Sequence, residues 1–219
     1  MSVDTDFLRS VAHFSGLGLA ELRSIAKFVF EKSAQRDELI VEEAEPGEAL
    51  YFVVSGAVKE LKTSVEGKEQ ILRIIRRGES FNDVPALDGG PSLASAQAMG
   101  PVHLYGISRT DMGIILQEHP TVALNVTRVL GERVRYFVSL VEDLSFKPVI
   151  GRVAKLLLDY AEDGRGPRPR LTQRDMAAMI GTAREMVGRS LKTLEDAGTI
   201  RMERHRIVIQ DKEALREAA

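Results

Sequence analysis

The 219-residue sequence predicts an α+β protein with an N-terminal antiparallel β-roll (a cupin-like jelly roll), a long helix and a C-terminal winged helix-turn-helix. Three observations predict it. Short apolar runs with regular glycine punctuation fill the region from Asp37 to Ile107. A heptad-spaced apolar pattern begins after Pro120. Two short helical segments meet at Gly181 and are followed by two strand-like runs.

In the first region, Leu50 to Val54 is closed by Ser55-Gly56. Val58 to Ser64 runs into a turn at Glu66-Gly67, and Gln70 to Ile75 is closed by Arg77-Gly78. Runs of this length with such turns form antiparallel barrels or rolls. Short helices are expected before the roll, around Leu19 to Phe28, and after it, from Arg109 to Glu118.

Beyond Pro120 the period changes. Ala123, Thr127, Leu130, Val134, Phe137, Val141 and Leu144 alternate spacings of four and three, an a/d seam over three heptads. So narrow a stripe suits pairing with a second copy, with Thr127, Leu130, Val134, Phe137 and Val141 at the contact; the alternative is a long helix packed on its own domain. Lys147-Pro148 then punctuates the chain. A helix from Val149 to Ala161 follows, and the Arg-, Pro- and Gly-rich stretch from Glu162 to Arg170 reads as a loop. The expected division is 1–118 for the roll, 119–146 for the pairing helix and 147–219 for the last domain.

Thr172 and Asp175 form a capping box at the start of one helix, and Gly181 permits a sharp turn after it. Thr182 with Glu185 is expected to open the second helix in the same way. With Arg184 at zero on the helical wheel, Gly188 lies at about 40°, Lys192 at about 80°, Glu185 at about 100° and Arg189 at about 140°. Val187, Ser190, Leu191 and Leu194 occupy the arc from about 240° to 340° and face the core. Arginine matches the paired acceptors of guanine, and glutamate accepts from cytosine N4. Arg184, Glu185 and Arg189 are therefore candidate base readers. The bland alternative leaves them on a solvated face, with Glu185 only a capping partner. Thr199 to Arg201 and Arg206 to Ile209 read as a hairpin wing. Thr172, Thr182, Lys192, Arg201, Arg204 and Arg206 are candidate phosphate contacts.

Charge agrees with this division. The net charge is −2, yet Lys147 to Ala219 holds 15 Lys and Arg against 11 Asp and Glu, leaving the preceding part acidic. A basic module suits phosphate binding at one end of the chain. No run of eighteen apolar residues is present and Met1 to Phe14 does not read as a signal peptide, so a cytoplasmic location is expected. There is no cysteine, which excludes disulfides, thiol catalysis and a cysteine-ligated iron–sulfur cluster. No Walker loop, His-Glu-x-x-His or Gly-x-Ser-x-Gly occurs, so no enzyme is expected.

The run from Gly181 to Arg189, with Leu191 and Leu194-Glu195-Asp196, resembles the recognition helix of the catabolite activator protein and fumarate–nitrate regulator (Crp/Fnr) family. Glu45-Pro46-Gly47-Glu48 through Gly56 resembles that family's entry into the β-roll, with Ala44 where a glycine is usual. Leu144-Ser145-Phe146 with Arg152-Val153-Ala154 resembles its entry into the DNA-binding domain. The resemblance implies a homodimeric transcription regulator that bends palindromic double-stranded DNA with TGTGA-like half-sites, with RNA polymerase as a further partner. It also implies base reading by Arg184, Glu185 and Arg189.

One feature departs from the family pattern. Its cyclic-nucleotide members grip the ribose with a Gly-Glu pair and the phosphate with an Arg-Ser or Arg-Thr pair. The matching positions here are Asn82-Asp83 and Leu93-Ala94, so the phosphate-gripping arginine is missing. Cyclic AMP binding in the family's manner is not expected. Asn82, Asp83, Val84, Leu87, Leu93 and Ala94 are candidate lining of a largely apolar effector pocket. An unidentified effector, a haem sensor using His13, His103 or His119, or no ligand at all stay open. Met99 and Met112 read as core. A ligand-binding module whose basic end serves a protein partner is the reading without DNA.

Overall fold

The structure is a computed structural model that describes residues 3–162, 171–203 and 206–219. By contacts the chain divides into two units, 1–62 with 72–135, and 63–71 with 136–219.

The first unit opens with helices α1 (Thr5–Ser10) and α2 (Leu19–Ile25). Strands β1 (Val29–Ala34), β2 (Leu39–Val41), β3 (Ala49–Ser55), β4 (Ala57–Thr63), β5 (Glu69–Arg76) and β6 (Ser80–Phe81) follow. Helix α3 (Asp83–Asp88) interrupts the roll before β7 (Ser95–Ala98) and β8 (Val102–Ser108). Helices α4 (Arg109–Glu118) and α5 (Pro120–Phe146) come next. The strands form two antiparallel sheets, in the orders β1-β8-β3-β6 and β2-β7-β4-β5.

Strand alternation builds two cores from one sequence. Leu50 and Phe52 of β3, with Tyr105 and Ile107 of β8, bury against Phe7, Leu8, Leu22, Met112 and Val122 from the helices. Val53, one residue along, joins Val58, Phe81, Ala96 and Leu104 in a second cluster. Met112 is core, as expected. Gly56 sits in the left-handed region at φ 84°, and a Cβ there would lie 2.4 Å from the Pro101 carbonyl oxygen. Ala44 also has a positive φ, 68°, at the position where the resembled family has glycine. A residue with a Cβ is strained there.

The stripe expected on α5 divides between exposed and half-buried residues. Thr127, Val134 and Val141 are exposed, but Leu130, Phe137 and Leu144 are half-buried, and Leu130 packs on the helix-side core. Leu124, Val134, Val138 and Val141 are each more than 60% accessible, and Tyr136 and Phe146 of the same helix are exposed as well. With Thr127 and Gly131 the first four form a second heptad ridge, 124-127-131-134-138-141. Spacing alone cannot choose between two a/d patterns that share positions.

The last unit contains α6 (Val149–Glu162), α7 (Gln173–Ile180), α8 (Arg184–Asp196), the hairpin β9 (Ile200–Glu203) and β10 (Arg206–Ile209), and α9 (Lys212–Glu217). Val153, Leu157, Met176, Ile180, Val187, Leu191, Leu194, Ile200 and Leu215 form its core. Thr172 caps α7 reciprocally with Asp175. Gly181 then adopts φ 66°, the left-handed turn expected between the helices. The cap of α8 differs from expectation. Its N-cap is Ala183, with no side-chain hydrogen bond. The Gly181 and Thr182 amides both donate to the Ala177 carbonyl, so one more extended residue precedes the helix and Thr182 lies one position too early to cap it.

Candidate nucleic-acid interface and effector pocket

Helix α8 presents the two faces expected of it. Val187, Ser190, Leu191 and Leu194 are buried, while Arg184, Glu185, Arg189 and Lys192 are exposed. The side chains of Arg184, Glu185 and Arg189 form no hydrogen bond or ion pair with any described residue. Since Thr182 is not the cap, Glu185 is no capping partner either. Gly188 stands at the centre of this polar arc. A Cβ there would lie 3.8 Å from Gln173 Oε1, an ordinary contact, so packing within the described residues does not demand glycine.

The candidate phosphate contacts are placed less uniformly. Thr172 Oγ1 donates to Asp175 and accepts from the Asp175 amide at 3.1 Å, so it is committed to its cap. Lys192 Nζ lies 3.5 Å from Asp196, and Arg201 pairs with Glu203, all on the exposed surface where such pairs are weak. Arg206 is exposed and Thr182 half-buried. Arg204 lies outside the described residues, as does most of the expected 162–170 loop.

In the first unit the candidate effector residues are organised around Asp83. Its side chain is fully buried at the start of α3. His13 Nε2 donates to its Oδ1 at 2.9 Å, as does Ser80 Oγ at 2.7 Å. Its Oδ2 accepts from Arg133 Nη1 of α5 at 2.5 Å. Burial alone would raise this carboxyl. The His13 hydrogen bond and the Arg133 charge outweigh burial and hold it well below its ordinary value. A cation thus faces Asp83, but from α5, 50 residues along the chain, not from the lost phosphate-gripping position. Beside it, Arg73 Nε pairs with Glu60 at 2.5 Å, and Arg73 Nη2 donates to the Ser80 carbonyl at 2.7 Å. Sequence reasoning missed Glu60, Arg73 and Ser80. The opposed Glu and Arg, 13 residues apart across the β4–β5 hairpin, were the available signal.

The other candidate pocket residues do not converge on an apolar cavity. Asn82 uses its amide to hold the Ala49 carbonyl at 2.9 Å. Leu87 packs on the helix-side core, Val84 and Ala94 are half-buried, and Leu93 is 59% exposed. The cleft nearby, about 300 Å³, is polar, lined by Lys32, Glu45, Glu48, Tyr51, Asn82 and Ser92 among others. Burial, with the Glu48 charge, pushes the Tyr51 hydroxyl pKa up. Nothing at Leu93-Ala94 grips a cyclic phosphate. Lys62 Nζ instead donates to the Leu93 carbonyl and pairs with Glu43.

Of the three candidate haem ligands, His13 is committed elsewhere, and His119 Nε2 is buried without a hydrogen-bond partner among the described residues. His13 is buried edge-on to Phe52, its Nε2 committed to Asp83. His103 faces Ser33 and Glu31, and His119 faces Glu21 at 3.6 Å. Among the described residues no group of three or more His, Asp or Glu is arranged to hold a metal ion. No helix among them is long and apolar enough to cross a membrane.

Comparison with known proteins agrees with this architecture. Residues 31–119 match the cyclic nucleotide-binding domain model, and residues 151–218 match the Crp-like helix-turn-helix domain model. The cyclic AMP receptor protein of Thermus thermophilus is 31% identical over 206 residues, covering 94% of this chain and 95% of that protein. A CRP-like cAMP-activated global transcriptional regulator of Mycobacterium tuberculosis is 29% identical over 221 residues, covering 98% of this chain and 99% of the relative. The structure of FixK2 from Bradyrhizobium japonicum superposes with a TM-score of 0.76 at 26% identity, over 87% of this chain and 96% of that one. The curated relatives are transcriptional regulators and not enzymes. The chain belongs to the Crp/Fnr family of DNA-binding transcription regulators.

Proposed function

We propose that the protein is a homodimeric, sequence-specific regulator that reads a palindrome through α8 and does not take cyclic AMP in the family's manner. The observation that carries it is the exposed, uncommitted set Arg184, Glu185 and Arg189 around Gly188, opposite the buried face of Val187, Ser190, Leu191 and Leu194. The arginines would pair with guanines and the glutamate with a cytosine, and Lys192, Arg201, Arg204 and Arg206 would meet phosphates. The heptad ridge 124-127-131-134-138-141 supports pairing of two copies along α5, with Gly131 allowing close approach. The working division is a roll domain at 1–118, a pairing helix at 119–146 and a DNA-binding domain at 147–219. A TGTGA-like half-site, contact with RNA polymerase and a cytoplasmic location belong to the same reading.

Any effector is one other than cyclic AMP, because a cyclic phosphate meets Leu93 and Ala94, and Asp83 is already bonded on both oxygens. Retardation of a palindromic probe, compared with a scrambled probe at one salt concentration, tests the DNA reading. Equal retention of both probes would contradict it. Calorimetry with cyclic AMP should show no micromolar binding, which would require about −8 kcal/mol.

A further inference from the structure

We infer that Arg133 is a positioning residue for DNA binding: its guanidinium pins the pairing ridge of α5 to the β-roll, so that the protein binds DNA with no effector present. This rests on the proposed roles of α5 and α8. Arg133 adjoins Val134 of the exposed ridge, about 100° away on the helix. The ridge can therefore face outward while the guanidinium faces the roll. Arg133 Nη1 bonds Asp83, and Nη2 donates to Ser80 Oγ at 3.0 Å and to the Ser80 carbonyl at 3.2 Å. That carbonyl is also held by Arg73, which pairs with Glu60. His13 closes the far side of Asp83. One node therefore joins α5 to β4, β5, β6, α3 and the segment after α1.

Two properties favour positioning over stability alone. The charged side chains are 0–15% exposed, and desolvating them is costly. Apolar residues of similar volume often stabilise a fold as well as or better than a buried ion pair. A forked guanidinium supplies what apolar packing does not, a fixed direction and distance. The two guanidiniums and two carboxylates also cancel in charge and satisfy one another. No cation is left free in the node for a cyclic phosphate, and Asp83 already accepts three hydrogen bonds within the protein.

The test uses the full-length protein, checked for bound small molecules by native mass spectrometry. Three forms are compared: wild type, Arg133→Met, and Arg133→Met combined with Asp83→Asn. Ligand-free wild type should bind the palindromic probe, and added cyclic AMP should not alter its affinity. Arg133→Met should lose thermal stability and at least tenfold in DNA affinity. The double variant removes the unpaired charge and should recover stability while DNA affinity stays at least tenfold down. Amide exchange over residues 123–140 should remain faster than in wild type. A double variant that binds DNA like wild type would reduce the node to a fold support and overturn the inference. Wild type that binds DNA only after a small molecule is supplied would also overturn it, with the DNA reading intact. If wild type prefers no palindrome, the DNA reading fails, and the exchange over 123–140 still decides the pinning: exchange unchanged in the double variant contradicts it.

Discussion

The roll and the recognition helix use charge in opposite ways. Around Asp83, charges are buried and spent on one another: Arg133, His13 and Ser80 all bond one carboxylate, and Arg73 meets Glu60. On α8, Arg184, Glu185 and Arg189 face solvent with no partner among the described residues. Charges already satisfied inside a protein fix geometry. Charges held on a rigid helix without partners are available to a ligand. The contrast is what the proposed division requires, recognition by α8 and mechanical coupling in the roll.

The comparison is broken most severely in the roll. Arg133→Leu leaves Asp83 buried with only His13 and Ser80, and removal of one partner from a buried pair costs about 3–5 kcal/mol. Denaturant unfolding should show that loss, whereas Arg184→Ala and Arg189→Ala should stay within about 0.5 kcal/mol of wild type. On DNA, Arg184→Ala and Arg189→Ala should each cost about 1–3 kcal/mol of base discrimination, whereas the Arg133 variant should weaken binding to all sequences alike. On α5, Val134→Asp should give monomers in sedimentation with a near-native melting temperature, because Val134 is exposed in the single chain. Leu130→Asp should instead damage the fold.

Two smaller effects sharpen the contrast. Gly188→Ala should raise stability by about 1 kcal/mol through helix propensity, since the Cβ meets only an ordinary contact, and should weaken DNA binding by blocking close approach. Stability and affinity then move in opposite directions at one residue. Ala44→Gly should raise stability by about 1 kcal/mol by relieving the positive φ, with no effect on DNA. For pH, the depressed carboxyl of Asp83 contributes stability that is complete above the ordinary value of 3.8. It is lost as pH falls below that toward the folded value. Asp83→Asn should flatten the acid limb of a stability–pH profile while leaving the neutral plateau lower.

The sequence made some elements legible and hid others for identifiable reasons. Glycine punctuation located β3, β4 and β5 to within a residue or two, and the Thr172–Asp175 box with Gly181 located α7 and its turn. Local signals suffice there because the physics is local. The Asp83–Arg133 bond joins residues 50 apart, on α3 and α5, and no periodicity announces it. The α5 ridge was half legible, since two heptad patterns share Thr127, Val134 and Val141 and only packing shows which flank is covered. Thr182 looked like a cap by composition, but the Gly181 turn consumes one extra residue before α8 begins.

Binding-site selection at fixed salt, with wild type beside Arg184→Ala, Glu185→Ala and Arg189→Ala, tests base reading by α8 most directly. Wild type should recover a palindrome whose half-sites lie about one helical turn, or a multiple of it, apart. Each arginine variant should lose preference at one guanine. Glu185→Ala should lose it at one cytosine while barely changing non-specific affinity. Recovery of the same sites by all four proteins would contradict the account.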